Sequence, residues 1–447
     1  MQNDLTTGSV FRKVVSFSLP YLLSYFLQTL YGMADLFIIG QFEGVASTTA
    51  VSIGSQVMHM LTVMLVGLAM GATVSIAQAT GGGDKKRTAS AIGNTVTLFM
   101  LLALALTALL LALRGGTVSI MSTPEEALQG TLAYLTVCFI GIPFIAAYNI
   151  IASIFRGLGD SKSPMYFIAA ACVVNIGLDF FFMGALRLGP AGAALGTTLS
   201  QAVSVLLALC VILKRKSIRL SKSDFCPRKA TMKDILSIGL PVAAQDGFIQ
   251  VSFMLITIMA NQRGLTDAAA VGIVEKIISF LFLVPSSMLS TVSALGAQNI
   301  GAGKYDRVDK ILRYAIAIGV GFGAVMALLM QFIAPSVVRP FTSDEAVVLA
   351  GAAYIRSYIF DCLFAGIQFS FSGYFCAWGR SGLSFLHNTL SILLVRVPGA
   401  WLACRFFPQT LVPMGLAPAC GSLFSSIVCI LLYRWMKRQN KPTGDKD

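Results

Sequence analysis

Apolar runs of about 20 residues recur from one end of the chain to the other, separated by short polar or glycine-bearing breaks. A helix rises 1.5 Å per residue, so about 20 apolar residues cross the roughly 30 Å hydrocarbon core of a bilayer. "TVTLFMLLALALTALLLAL" (95–113) and "YAIAIGVGFGAVMALLMQFIA" (314–334) are two such runs. Twelve are counted, near 14–39, 48–78, 91–113, 130–155, 165–186, 191–213, 235–260, 269–298, 311–335, 348–375, 383–406 and 413–436. The second and eighth exceed what a span needs, which predicts tilt or a curved segment. The polar start, MQNDLTTGSVFRK, carries no cleavable signal, so the first helix is expected to stay in the mature protein.

The pattern also repeats on a longer scale. "AQATGGGDKKR" (77–87) returns as "AQNIGAGKYDR" (297–307), a shift of 220 that places Gln78 on Gln298, Gly81 on Gly301, Gly83 on Gly303 and Arg87 on Arg307. The same shift superposes Glu125 on Glu345, Tyr134 on Tyr354, Gly159 on Gly379 and Ser161 on Ser381. "FSLP", ending at Pro20, answers "IGLP", ending at Pro241; Pro190, Gly192 and Ala194 answer Pro413, Gly415 and Ala417. A shift that drifts by only a few residues over a half-length marks a duplicated unit. Six spans is an even number, so both copies point the same way, as a parallel repeat. The expected fold class is an all-α membrane protein, twelve transmembrane helices in two pseudo-symmetric six-helix bundles. Residues 1–213 form the first half, 214–234 a basic linker, and 235–447 the second half with its tail.

Composition agrees with this pattern. Of 447 residues 56% are hydrophobic and 12% charged, and the mean hydropathy is +0.78. Soluble domains carry about twice that charge density. The net charge of +13 would suit nucleic acid, but its placement argues for topology instead. Of 33 Lys and Arg, 25 fall on the side that holds both termini, five opposite, and three inside helices (Lys276, Arg356, Arg396). Positive loops stay in the cytoplasm, so the chain is expected in the cell inner membrane with both termini cytoplasmic, and no nucleic-acid partner is expected.

Enzyme signatures are weak. "GLGDSKS" (157–163) and "GAGK" (301–304) do not complete a phosphate loop, and neither H-E-x-x-H nor a nucleophile elbow occurs. Eight of nine cysteines lie in or at the ends of spans, Cys226 lies in the linker, and no C-x-x-C occurs, so neither a disulfide framework nor a metal site is indicated. His59 and His387 fall in different spans and read as buried, hydrogen-bonded residues rather than ligands. The chain is therefore not expected to be an enzyme or to hold a cofactor, and its work must come from an ion gradient.

The unusual groups are acids inside spans: Asp35, Asp179, Asp246, Glu275 and Asp361. Such residues usually face the bundle interior and mark ion paths. Asp35 and Asp179 lie at similar depth in the outer halves of helices 1 and 5. Asn175 precedes Asp179 by one turn on the same face, and Thr197 on helix 6 offers a hydroxyl at that depth. Gathered in a low-dielectric pocket, these groups can load and release a proton, or bind Na⁺ with help from the Asn and Thr oxygens. A static hydrogen-bonded network is the alternative. In the second half Glu275 sits beside Lys276 and reads as neutralised by it. Arg396 is a candidate partner for Asp361 or Glu275, and Asp246 lies in the inner half of helix 7. These favour structural ion pairs.

"FSLP" fifteen residues before Asp35 in "YGMADLFIIG", the two glycine loops, "RGLGDSKSP" (156–164), and "NIGLDFFFMG" followed by "GPAGAALGTTLSQ" together resemble the multidrug and toxic compound extrusion family, from about residue 9 to 436. The resemblance implies an exporter that antiports lipophilic organic cations against H⁺ or Na⁺ by alternating access; a monomer in the bilayer is expected. It implies that Asp35, Asn175, Asp179 and Thr197 form the cation site and that helix 1 bends near Pro20. Some members place a cation-binding Glu on helix 7 with an Asp on helix 10. Helix 7 here offers Gln245, Asp246 and Gln250 instead, which favours the first half as the coupling site. A flippase for lipid-linked sugars is the alternative. Its anionic substrate needs a basic cavity, for which the spans offer only Lys276, Arg356 and Arg396.

Overall fold

The structure is a computed structural model that describes residues 4–121, 123–215 and 220–439. Part of the expected linker (216–219) and the charged tail beyond Gln439 lie outside the described residues. Among the described residues, twelve helices are long and apolar enough to cross a membrane. They are α1 (Val10–Phe42), α2 (Val45–Gly81), α3 (Lys85–Ile120), α4 (Glu125–Gly157), α5 (Lys162–Ala185) and α6 (Gly189–Lys214) in the first half. The second half holds α7 (Lys229–Asn261), α8 (Leu265–Gly301), α9 (Tyr305–Phe341), α10 (Glu345–Ala377), α11 (Ser381–Phe406) and α12 (Val412–Gln439). Among the described residues there is no strand.

The helices are interrupted where the sequence removes or displaces a backbone hydrogen bond. Pro20 sits inside α1 and Pro241 at the matching place in α7. Each lacks the N–H that would close the turn behind it. α8 breaks at Phe282, three residues before Pro285, so the long eighth run is two segments in series. α5 widens into a π-helical turn over Phe180–Ala185, directly after Asp179, and α11 does so over Ile392–Arg396. The first follows Asp179 and the second ends on Arg396, and such insertions are frequent at functional sites. Two glycine turns recur across the duplication with nearly one geometry: Gly83 and Gly303 have φ of 71° and 72°, and Gly159 and Gly379 have 89° and 70°. Side chains other than glycine avoid that region.

Contacts divide the chain into two units, Met1–Ala243 with Ala297–Arg307, and Ala244–Gly296 with Val308–Asp447. In the first, α2, α4 and α6 bury a core that includes Val51, Tyr134, Phe139, Ile142 and Ala193. α3 turns Leu101, Leu104, Leu109 and Leu113 outward, which hydrocarbon as solvent permits. The described part of the linker beyond residue 219 is docked on the first half. Its 3₁₀ turn Lys222–Phe225 docks on α3, where Asn94 Nδ2 donates to the Asp224 carbonyl (3.1 Å) and Thr97 Oγ1 to that of Phe225 (2.7 Å). Ser221 hydrogen bonds hold the Asp224 carboxyl below the usual carboxylate range.

Residues 297–307 belong to the first unit through backbone contact. A Cβ on Gly81 would lie 1.9 Å from the Gln298 carbonyl oxygen, and one on Gly301 would lie 2.0 Å from that of Gln78. Gln298 Nε2 donates to the Gly157 carbonyl (3.1 Å), while Lys304 Nζ and Arg307 Nη1 donate to the carbonyls of Thr6 (2.8 Å) and Gly8 (2.9 Å). The second unit packs α7, α8, α10 and α12 around Val271, Val274, Tyr354, Tyr358 and Met414.

Candidate functional site

Three helices of the first unit deliver one polar cluster into its apolar interior. α1 supplies Asp35, 3% exposed; α5 supplies Asn175 and Asp179, 1% and 0% exposed. From α6, Thr197 Oγ1 donates to Asp35 Oδ2 at 3.0 Å. Asp179 and Asn175 are the other side chains that reach the Asp35 carboxyl. All four residues expected to form the site are therefore together. α6 can approach this closely because it carries Gly196: a Cβ there would stand 2.1 Å from Asp179 Oδ1.

The cluster is incompletely satisfied. Asp35 Oδ1, both carboxylate oxygens of Asp179 and both polar atoms of Asn175 are buried without a hydrogen-bond partner, as is Gln201 Oε1 one turn beyond Thr197. Among the described residues no Lys or Arg pairs with either aspartate. Buried ionised carboxylates without a counter-charge are expensive, so this set has room for a positive charge. Its oxygens, from two carboxyls, an amide and a hydroxyl, suit a proton or a hard monovalent cation. Tyr31, Tyr134 and Cys138 stand within electrostatic reach of Asp35, and Tyr134 Oη shares a 3.1 Å hydrogen bond with Ser55 Oγ. Sequence reading had passed over these residues, Gly196 and Gln201. Only the small-residue run "GPAGAALG" hinted that something lies close against α6.

Pro20 lies on α1 four turns before Asp35. Ser24 Oγ donates to the Pro20 carbonyl (2.8 Å), and the Arg156 guanidinium covers the next ring, Tyr21, at 4.2 Å.

The second unit gathers a different set. Arg396 Nη2 lies 3.8 Å from Asp361 Oδ2 and donates to Tyr358 Oη (3.0 Å), with the guanidinium 4.7 Å from the centre of the Phe253 ring. The expectation that Lys276 neutralises Glu275 is corrected: Lys276 is exposed, whereas Glu275 Oε2 accepts from Thr257 Oγ1 (3.0 Å) and feels the charge of Arg396. Adjacent residues on a helix point about 100° apart, which is why sequence proximity misled. Asp246 joins neither cluster and lies near Cys376. His387 bridges Ser372 (3.0 Å) and Ser425 (2.7 Å) as a satisfied core residue, but His59, expected to be buried, is exposed on α2.

The MatE family model matches residues 20–181 and 241–402, once in each half. The probable multidrug resistance protein YpnP of Bacillus subtilis is 30% identical over 435 residues, covering 97% of this chain and 96% of its own. Among solved structures, a MATE crystallised in the straight conformation superposes with a TM-score of 0.91 at 22% identity, covering 97% of this chain and 98% of that one. A MATE in the bent conformation superposes at 0.89, also at 22% identity, over 97% and 96% of the two chains.

Proposed function

The chain belongs to the MatE family of multidrug efflux transporters, and on that premise we propose that it exports lipophilic organic cations in exchange for protons bound at Asp35 and Asp179. It is a multi-pass membrane protein that moves small organic substrates, not an enzyme. The observation that carries the ion-coupling reading is the buried pair of carboxyls with free oxygens and no basic partner. Such a pair discriminates between states: with a positive charge it is at ease in a low dielectric, without one it is not. A proton and a cationic substrate would then compete for the same negative charge, which is what an antiporter needs. Thr197 and Asn175 orient the carboxyls.

The hinge follows from Pro20. The turn behind it lacks one hydrogen bond, so α1 can bend there at little cost, and loading of Asp35 on the same helix would bias the bend. Solved relatives in straight and bent conformations agree with this reading. The placement of basic loops supports an inner-membrane protein with both termini in the cytoplasm, and each half has its own core, consistent with a working monomer. One charge crossing 100 mV supplies about 2.3 kcal/mol, enough for roughly a fiftyfold substrate gradient. The flippase alternative loses ground because Arg396, the Lys or Arg that is buried among the described residues, stands among acids.

The test is transport of a fluorescent lipophilic cation into liposomes holding wild type or Asp35→Asn, under a proton gradient without Na⁺ and then under Na⁺ alone. Proton-driven transport in wild type that vanishes in the variant is expected. Normal transport by Asp35→Asn would remove the site assignment. Transport driven by Na⁺ alone would make Na⁺ the coupling ion, and no cation movement under either gradient would favour the flippase.

A further inference from the structure

The start of α7 is held from two directions. A Cβ on Gly71 of α2 would lie 2.1 Å from the Ile235 carbonyl oxygen, and one on Gly239 would lie 2.3 Å from that of Leu68, so the two helices meet backbone to backbone. Just before the helix, Arg228 N donates to Asn94 Oδ1 of α3 at 2.7 Å. A helix turns about 100° per residue, which gathers Lys229, Lys233, Leu236 and Leu240 within about 60° of one another and away from Ile235 and Gly239. On that side the surface is recessed. A groove of about 540 Å³ runs along it, lined by Pro227, Lys229, Met232, Lys233, Leu236 and Leu240. Ordinary ligand sites enclose roughly 300–1,000 Å³.

The groove is graded in polarity. α7 has 33 residues, about 50 Å of helix against a hydrocarbon core of roughly 30 Å. Centred on that core, it leaves about six or seven residues at each end among the headgroups. Lys229 and Lys233 then stand at phosphate level, and Leu236 and Leu240 in hydrocarbon. Both lysines are exposed, as is Leu240. Among the described residues neither lysine meets a carboxylate, and the neighbouring Asp234 points about 100° away from Lys233. Met232 to Leu240 spans about 12 Å, room for a stretch of acyl chain. The duplicated partner differs. At the shift of 221, Lys229 falls on Gly8 and Lys233 on Arg12. The first copy thus has one cation here and covers its helix start with Arg307, whose Nη1 donates to the Gly8 carbonyl; the second has two cations and leaves them uncovered.

We propose that this groove binds an anionic phospholipid, with Lys229 and Lys233 taking its phosphate and Met232, Leu236 and Leu240 taking the upper part of an acyl chain. An ammonium brings three donors on a flexible stem and demands no fixed plane of its acceptor. Two of them one turn apart therefore suit a headgroup that moves at the interface. A zwitterionic lipid gains less from the pair, because its own cation stands beside its phosphate. A free anion gains nothing from the apolar half of the groove. The inference goes beyond the transport reading and needs only that α7 crosses a bilayer.

The test is native mass spectrometry of the purified full-length protein, delipidated in detergent and titrated with dioleoyl phosphatidylglycerol or dioleoyl phosphatidylcholine. Wild type should retain a single phosphatidylglycerol in preference to phosphatidylcholine. Each cation near an anionic surface is worth about fivefold in affinity, so Lys229→Gln/Lys233→Gln should weaken that binding about thirtyfold and bring the two lipids level. Leu240→Trp, which fills the apolar end, should weaken it with both charges in place. Lys85→Gln/Lys86→Gln, which strips the same charge from the start of α3, should leave it unchanged. Matching thermal melts in the same detergent show that these surface variants are folded. Equal retention of the two lipids by wild type, an equal loss in both lysine variants, full binding by Leu240→Trp, or displacement of the lipid by millimolar inorganic phosphate would each overturn the proposal. Failure of the Asp35 reading appears instead in liposome transport and leaves the lipid count untouched.

Discussion

A methyl group on Gly196 would lie 2.1 Å from Asp179 Oδ1, well inside contact distance, and 3.6 Å from Asn175 Nδ2, an ordinary contact. The atom in the way belongs to a side chain, so Gly196→Ala displaces the carboxyl rather than breaking the helix. Alanine is the better helix former by about 1 kcal/mol. The variant should therefore melt no lower than wild type while transport falls about tenfold, the effect of about 1.4 kcal/mol of lost ion affinity. Full transport by Gly196→Ala would show that the Asp179 carboxyl need not sit where it does. Thr197→Ala removes the 3.0 Å hydrogen bond to Asp35, and a bond to a charged group is worth about 1.5–3 kcal/mol. Because the hydroxyl stabilises the unprotonated carboxylate, half-maximal transport should then be reached at a tenfold or more lower proton concentration, with Thr197→Ser close to wild type. The aspartates were legible because an acid inside an apolar run is conspicuous. Gly196, Tyr134 and Gln201 were not, since glycines, aromatics and amides occur throughout these spans and only proximity singles them out.

At the scale of the helix, Pro20 is the clearest lever. Pro20→Ala restores an N–H for the carbonyl of Ser16 and removes a penalty of about 3 kcal/mol for proline in a helix interior. The melting temperature should rise and transport should slow, and a variant that melts higher yet transports at the wild-type rate would remove α1 bending from the cycle. All twelve spans were legible because hydrocarbon forces every spanning segment to close its own backbone hydrogen bonds. Their ends were not. The apolar run 91–113 belongs to a helix running Lys85–Ile120, started by Asp84, whose carboxylate accepts from Arg87 N at 2.9 Å. Capping by polar side chains carries helices past the apolar core, where hydropathy has nothing to report. The π-turns of α5 and α11 and the break at Phe282 shift one or two hydrogen bonds without changing composition, so periodicity could not reveal them.

Across the whole molecule, the duplication was plain in the sequence, but the membership of residues 297–307 was not. "AQNIGAGKYDR" aligns with its twin in the first half, and a reader would leave it in its own copy. What binds it to the first unit is glycine backbone meeting glycine loop, a contact that leaves no trace in composition. Gly81→Ala should expose this contact: its methyl meets a backbone oxygen at 1.9 Å, which cannot step aside as Asp179 can. A loss of about 1–3 kcal/mol of stability is expected, as for other overpacked sites, read as a lower melting temperature; an unchanged melt would mean that the two loops separate freely. The same feature bears on how the protein is made. A ribosome that has just finished Ala243 must add about 60 more residues before Arg307 emerges, which at roughly 5–20 residues per second takes about 3–12 s. For that interval the nascent first unit waits in the bilayer with its glycine loop uncovered. Assembly of this transporter is therefore not a simple procession from amino to carboxyl end, because the first unit is complete only after the opening segments of the second have been made.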